Sequence, residues 1–177
     1  MNFKDLIVVH DTNTIERAMK ILTDKKAILP NSETKEDNDW GSTNEICLAA
    51  YDYEEIIYHY RMWGHIRFII KEEWINKNVP NIEHHQYGVS GYNEILIWKE
   101  FIRRHGFKKY SGTMRTAVNQ LICKIPVPLS AIECIIIYKS NLHNQLQFER
   151  ELQLLKDNKP SNIQLFIIEN NALKLIV

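Results

Sequence analysis

Short apolar runs alternate along the chain with amphipathic stretches, and the predicted elements follow from that alternation. Leu6-Ile7-Val8-Val9 is four apolar residues in a row and reads as a short buried strand. His10-Asp11-Thr12 leaves that strand at its C-terminal end. Ile15, Ala18, Met19 and Leu22 then recur at helical spacing, which predicts a helix from about Asn13 to Asp24. Thr12 or Asn13 can cap it, Glu16 can close a capping box, and Lys25 and Lys26 suit its C-terminal dipole. Ala27-Ile28-Leu29 is a short extended piece stopped by Pro30.

Residues 31–43 are polar and acidic and read as a loop, either a lid or a surface excursion. Glu45 to Tyr51 is a second buried strand, and Asp52 to Arg61 a short helix broken at Trp63-Gly64. In the strand from His65 to Lys71, Ile66, Phe68 and Ile70 face one way and His65, Arg67, Ile69 and Lys71 the other. Glu72 to Ile75 begins a turn of helix that Val79-Pro80 ends. Ser90 can cap a helix from about Gly91 to His105 with Ile95, Trp98, Phe101 and Ile102 inside, and Gly106 stops it. A basic connector comes next over 108–116, then a strand from Val118 to Val127 closed by Pro126 and Pro128. Ala131 to Tyr138 is a strongly apolar strand. Asn141 to Lys156 is an amphipathic helix built on Leu142, Leu146, Phe148, Leu152 and Leu155. Ile163 to Ile168 and Leu173 to Val177 form a last strand pair around Asn170-Asn171. No regular strand-helix-strand repeat runs through this order, so the expected fold is α+β, a central largely antiparallel sheet flanked by helices.

Composition narrows the class without naming a ligand. The 177 residues suit one domain spanning 1–177, with 45% hydrophobic and 25% charged residues as in soluble globular proteins. Lys plus Arg and Asp plus Glu number 22 each, so net charge points to neither a nucleic acid nor a membrane. Cys47, Cys123 and Cys134 sit in apolar runs without metal-type spacing and read as core residues of a reducing compartment. The N-terminus is too short and too acidic for a signal peptide, and no apolar run reaches membrane-spanning length. A cytoplasmic protein with no membrane partner is expected; oligomeric state is not legible.

Several devices are missing: a Walker loop, Gly-x-Gly-x-x-Gly, Cys-x-x-Cys, His-Glu-x-x-His and Gly-x-Ser-x-Gly. His84-His85 is an adjacent pair in a predicted loop, poorly placed to converge on one metal. The stretch Tyr58-His59-Tyr60-Arg61-Met62-Trp63 can stack a base or a nicotinamide, or simply pack. Arg103, Arg104, Lys108, Lys109 and Arg115 can touch phosphates, or form a solvated helix end. His10-Asp11-Thr12, a polar strand end feeding a helix N-terminus, is a natural place for an anion or dinucleotide. Its plain alternative is a strand-turn-helix whose polar residues only cap.

The order of these pieces resembles the ADP-ribosyltransferase fold, most closely the DarT-like DNA ADP-ribosyltransferases and related phage proteins. Val9-His10-Asp11-Thr12, with its helix and Lys25 to Pro30, is similar to the family's His-x-Thr strand, its helix and the short continuation beyond. Ile46 to Tyr51 stands at the place of the second-strand motif, with Ala49 and Ala50 where the family often has Ser/Thr and Arg. Trp63 to Ile70 resembles the family's Gly-x-Ile-Arg strand. Val118 to Ile122, and Ile125 to Ile137 after it, resemble the catalytic-glutamate strand and its successor.

The resemblance implies transfer of ADP-ribose from NAD, as substrate, to a nucleic-acid or protein target. His10 and Thr12 would grip NAD, Arg67 would join them, and Tyr60 or Trp63 would stack. A carboxylate would stabilise the oxocarbenium-like ribose as nicotinamide leaves. At the expected position this chain carries Gln120. Glu94, within Tyr92 to Ile97, also resembles a glutamate strand and would make residues 90–97 extended; Glu133 is a third candidate, inside an apolar strand. If Gln120 holds the catalytic place, the chain is instead an inactive relative. A phage-type inhibitor or decoy, acting in the host cytoplasm on a defence or transcription protein, would fit that description.

Overall fold

The computed structural model describes residues 7–30, 46–51, 64–78, 82–86, 95–96, 119–139, 144–170 and 172–176. Within these, the predicted apolar runs become strands of one large sheet. In chain order they are β1 (Ile7–Thr12), β2 (Ala27–Ile28), β3 (Ile46–Tyr51), β4 (Ile66–Ile70), β5 (Ile82–Gln86), β6 (Ile95–Leu96), β7 (Asn119–Cys123), β8 (Val127–Pro128), β9 (Ile132–Tyr138), β10 (Gln164–Glu169) and β11 (Ala172–Ile176). Nine of them pair in the order β11-β10-β9-β4-β1-β3-β7-β5-β6, and β2 pairs with β8 apart. The α+β expectation, with a largely antiparallel sheet, matches: among the described residues of the large sheet, β9 and β10 alone run parallel. A parallel pair needs a long crossover, and the helix α3 (Gln145–Asn158) supplies it; the shorter α1 (Ile15–Met19) and α2 (Glu72–Asn78) precede it.

Strand alternation sorts the core into two layers. Val8, Ile66, Phe68, Ile70, Ile135 and Ile137 pack with Ala18, Ile75, Phe148 and Leu155 of the helices. Ile7, Val9, Ala49, Ile69, Cys134 and Ile136 form the layer on the other face. The predicted two-faced β4 is confirmed, yet all five of its residues are buried, Arg67 included. Cys123 and Cys134 are buried, as expected of core cysteines, and loss of hydration pushes both thiols up.

Several boundaries differ from expectation. Thr12 stays in β1, so Thr14 caps α1, its hydroxyl accepting from the Arg17 N–H at 3.3 Å. The predicted helix is α-helical only to Met19; Lys20–Lys25 continue as a π-helix, where the Thr23 hydroxyl donates to the Met19 carbonyl at 2.9 Å. The predicted strand over 118–127 is two strands, because Val127-Pro128 leaves the large sheet to pair with Ala27-Ile28. Helix α3 starts late, capped by Asn144. Leu146 is then 74% exposed, since the inward stripe runs through Phe148, Glu151 and Leu155 and Leu146 lies about 200° round the helix from Phe148. Ile95 and Leu96 belong to a strand, not to the predicted helix, and His84-His85 lies in β5 rather than a loop. The predicted loop over 31–43, the helix over 52–61 and the basic connector lie outside the described residues.

The last hairpin is legible from Asn170-Asn171. Glu169 pairs with Ala172, with two residues between them, and Asn170 has φ 53°, in the left-handed region that Asn and Gly tolerate best. Asn170→Gly should therefore leave Tm within about 2 °C of wild type, whereas Asn170→Val should cost about 1–2 kcal/mol. Thermal unfolding of both variants checks this.

Candidate functional site

The sheet forks at the C-terminal half of β1. Its ladder with β3 ends at the pair Val9–Ala49, whereas its ladder with β4 runs on to Thr12–Ile66. Strand β3 instead continues its pairing with β7, through Leu48–Leu121 to Ile46–Cys123. His10, Asp11 and Thr12 thus form an arm held by β4 and not laddered to β3. Asp11 is half-buried as a residue while its side chain is only 3% exposed, so solvent reaches its main chain. An exposed peptide group beside a central strand of a nine-stranded sheet is a place for a ligand to hydrogen-bond.

The arm makes contacts on both faces. On one, the carboxylate of Asp11 accepts two hydrogen bonds from Arg67, directly opposite on β4: Nε to Oδ1 at 2.6 Å and Nη2 to Oδ2 at 2.8 Å. The Arg67 side chain is wholly buried, and its Nη1 donates to the Tyr138 hydroxyl at 2.8 Å. The guanidinium carbon lies 5.3 Å from the Tyr138 ring centroid. Burial pushes the Tyr138 phenol up more than the Arg67 charge pulls it down, so the hydroxyl stays protonated. On the other face the Thr12 hydroxyl points to the Ile66 carbonyl at 3.5 Å, longer than an ordinary hydroxyl hydrogen bond and a weak hold at most.

The turn entering β4 completes the support. A β-carbon on Gly64 would overlap the Thr12 carbonyl and come within 2.6 Å of the Asn13 nitrogen. Beside it, His65 Nε2 bonds the Glu151 carboxylate at 2.7 Å, and its carbonyl accepts from the Tyr138 N–H at 2.8 Å. Gln147 donates to the same carboxylate at 3.0 Å. Glu151 is thus a buried charge in the inner stripe of α3, tying that helix to the turn beneath the arm.

The predicted site residues separate on this frame. His10, half-buried, and Thr12, buried, share the arm. Gln120 stands opposite Ala49 on β7, in the last rung before the fork, two strands and about 10 Å from Val9. Arg67 borders the arm, with its guanidinium engaged by Asp11 and Tyr138. Tyr60, Trp63 and Glu94 lie outside the described residues, as do the basic residues from Arg103 to Arg115. Ile95, next to Glu94, pairs in β6, four strands and roughly 19 Å from β1. Glu133 is the extra residue of a bulge, because Ile69 pairs with Cys134 and Ile70 with Ile132; it lies toward the end of the sheet away from the arm. His85 pairs with Gln120 in register. Among the described residues no group of three or more His, Cys, Asp or Glu could hold a metal, and no helix is long and apolar enough to cross a membrane.

Reading the residues alone misses Asp11, Gly64, Tyr138 and Glu151. A signal exists for one of them, because Glu151 interrupts an apolar stripe; Asp11 faces Arg67 only in the register that β1 and β4 adopt.

No protein-family model matches the sequence, and no curated protein matches it. Similar solved structures include DarT of Thermus sp. 2.9 in complex with carba-NAD+, at 13% identity and TM-score 0.49, covering 97% of this chain and 98% of that one. The same DarT with NAD+ gives 11% identity and TM-score 0.44, over 91% and 94% of the two chains. With ADP-ribosylated ssDNA it gives 9% identity and TM-score 0.45, over 90% and 92%.

Proposed function

We propose that the fork binds NAD, in an ADP-ribosyltransferase-like protein whose target is a nucleic acid or a protein. One observation carries this: the His10–Thr12 arm runs past its ladder with β3 and leaves the Asp11 main chain open to solvent while its side chain is buried. A carboxamide such as that of nicotinamide offers one donor and one acceptor face, the complement of a strand edge. His10 beside it carries a ring nitrogen that can bond a ribose hydroxyl. These are the roles that the resemblance of Val9-His10-Asp11-Thr12 to the His-x-Thr strand implies.

The transfer step needs negative charge near the ribose carbon as nicotinamide departs. Gln120, at the last rung before the fork, is neutral; it can orient a ribose hydroxyl but cannot offset an oxocarbenium charge. That observation favours a second reading, a protein that retains the dinucleotide site with transfer weak or lost.

Thermal unfolding with NAD tests the binding. At 100 times the dissociation constant, NAD should stabilise the fold by about 2.7 kcal/mol, a Tm rise of roughly 5–10 °C. His10→Ala should reduce that rise while leaving the ligand-free Tm nearly unchanged. An unchanged wild-type Tm at millimolar NAD would sink the proposal.

A further inference from the structure

We infer that Asp11, Arg67 and Tyr138 form a positioning network that sets the arm carrying His10 and Thr12, and that Arg67 acts through it rather than on the ligand. The inference rests, for its functional meaning, on the dinucleotide reading of the fork. Alternation along β1 places Asp11 on the face of Ile7 and Val9, and His10 and Thr12 on the face of Val8. The arm has lost its ladder to β3, so a roll about the strand axis is resisted from the β4 side. Such a roll swings His10 and Thr12 and at the same time drags the Asp11 carboxylate off the Arg67 fork. The two parallel N–H···O bonds are directional, and the third donor, to Tyr138 on β9, fixes the plane of the guanidinium itself. Arg67 and the Asp11 side chain are 0% and 3% exposed among Ile69, Cys134 and Ile136, so the pair is shielded from water and salt.

A buried ion pair is a poor device for stability alone, because apolar residues of similar volume commonly replace one at little cost. Keeping an ion pair and its phenol partner in an apolar layer, next to the unladdered stretch of β1, fits a role in direction rather than in cohesion. Residues of the network touch the reacting groups nowhere in this scheme; they are positioning residues.

The test compares wild type, the double variant Asp11→Leu/Arg67→Met, and Arg67→Lys, which keeps the charge and loses the bidentate fork. Two readouts are taken: amide hydrogen exchange residue by residue without ligand, and NAD affinity by calorimetry. The double variant should fold with β4 and β9 amides as protected as in wild type. Exchange of those amides of the arm that donate to β4 should rise tenfold or more, and NAD affinity should fall at least tenfold. Arg67→Lys should show the same local pattern at smaller amplitude, and it carries the test should the double variant fail to fold. Unchanged exchange at those arm amides in either folded variant overturns the inference. So does NAD affinity retained within twofold. Local exchange that rises in a protein whose wild type binds no NAD upholds the network as the restraint on the arm and removes the dinucleotide reading instead.

Discussion

Gly64→Ala is expected to lower Tm by roughly 6–12 °C, corresponding to about 3 kcal/mol or more. The alanine methyl would occupy the space of the Thr12 carbonyl and crowd the Asn13 nitrogen, and those are main-chain atoms that cannot rotate away. Relief requires β1 to part from the entry of β4, at the point where the Thr12–Ile66 pair closes their ladder. The Thr12 hydroxyl contact with Ile66 and the capping by Thr14 two residues on would both be disturbed. Glycine is needed here for close approach of two backbones, so serine should be as damaging as alanine. The response to NAD should fall together with stability in this variant. That distinguishes it from His10→Ala, where only the response falls. A Gly64→Ala protein that unfolds within 2 °C of wild type would show that the arm and the turn are not packed as described.

Gln120→Glu is expected to raise ADP-ribose transfer, or NAD cleavage where no target is supplied, by roughly a hundredfold to a thousandfold. One preorganised electrostatic group at a developing charge is worth about 2.7–4 kcal/mol of barrier. The substitution changes charge at nearly constant shape, in register with Ala49 on one side and His85 on the other. Pairing in register with Ala49 and Val9 puts position 120 on the Asp11 face of the sheet, so a carboxylate there, two strands from the arm, would approach a ligand lying in the fork from the face opposite His10 and Thr12, whereas β6, which comes just after Glu94, is four strands from β1. Labelled NAD with wild type, Gln120→Glu and Glu94→Gln separates the cases. Wild type inert and Gln120→Glu active supports the reading in which Gln120 replaced a carboxylate. Wild type active and Glu94→Gln inert would assign the chemistry to Glu94 and leave Gln120 a strand residue.

The strands are legible because most are continuous β-branched and apolar runs, and such runs have few alternatives to burial in a sheet. Ile132 to Tyr138 and Gln164 to Glu169 are the plainest cases. Their pairing is not legible. Nothing local to Val127-Pro128 says that it leaves the large sheet for Ala27-Ile28, since that choice depends on the path of the whole intervening chain. Leu146 shows the limit of counting apolar residues: a leucine off the stripe counts the same as those on it, and the inward position goes to Glu151, whose burial depends on His65 some 86 residues away in sequence. At the site, His10 and Thr12 stand out by their local pattern. Asp11 does not, because its role appears only once Arg67 lies across from it, 56 positions on. The resemblance singles out Arg67 through its strand, and its contact with Asp11 is the part that only the pairing of β1 with β4 reveals.

The network around the arm also fixes when in the life of the chain the site can exist. Asp11 and Arg67 are 56 positions apart, and Arg67 and Tyr138 a further 71. During synthesis the β1–β4 pair can therefore form while the third member is still unmade, leaving the guanidinium short of one acceptor in an uncovered layer. The fork is assembled from distant parts of the chain, and pairings of such long range carry a loop-closure cost that local ones do not. A nascent chain ending before Tyr138 would carry the His10-Asp11-Thr12 motif without the geometry that gives it meaning. Completion of the fork thus waits on the docking of β9 between β4 and β10.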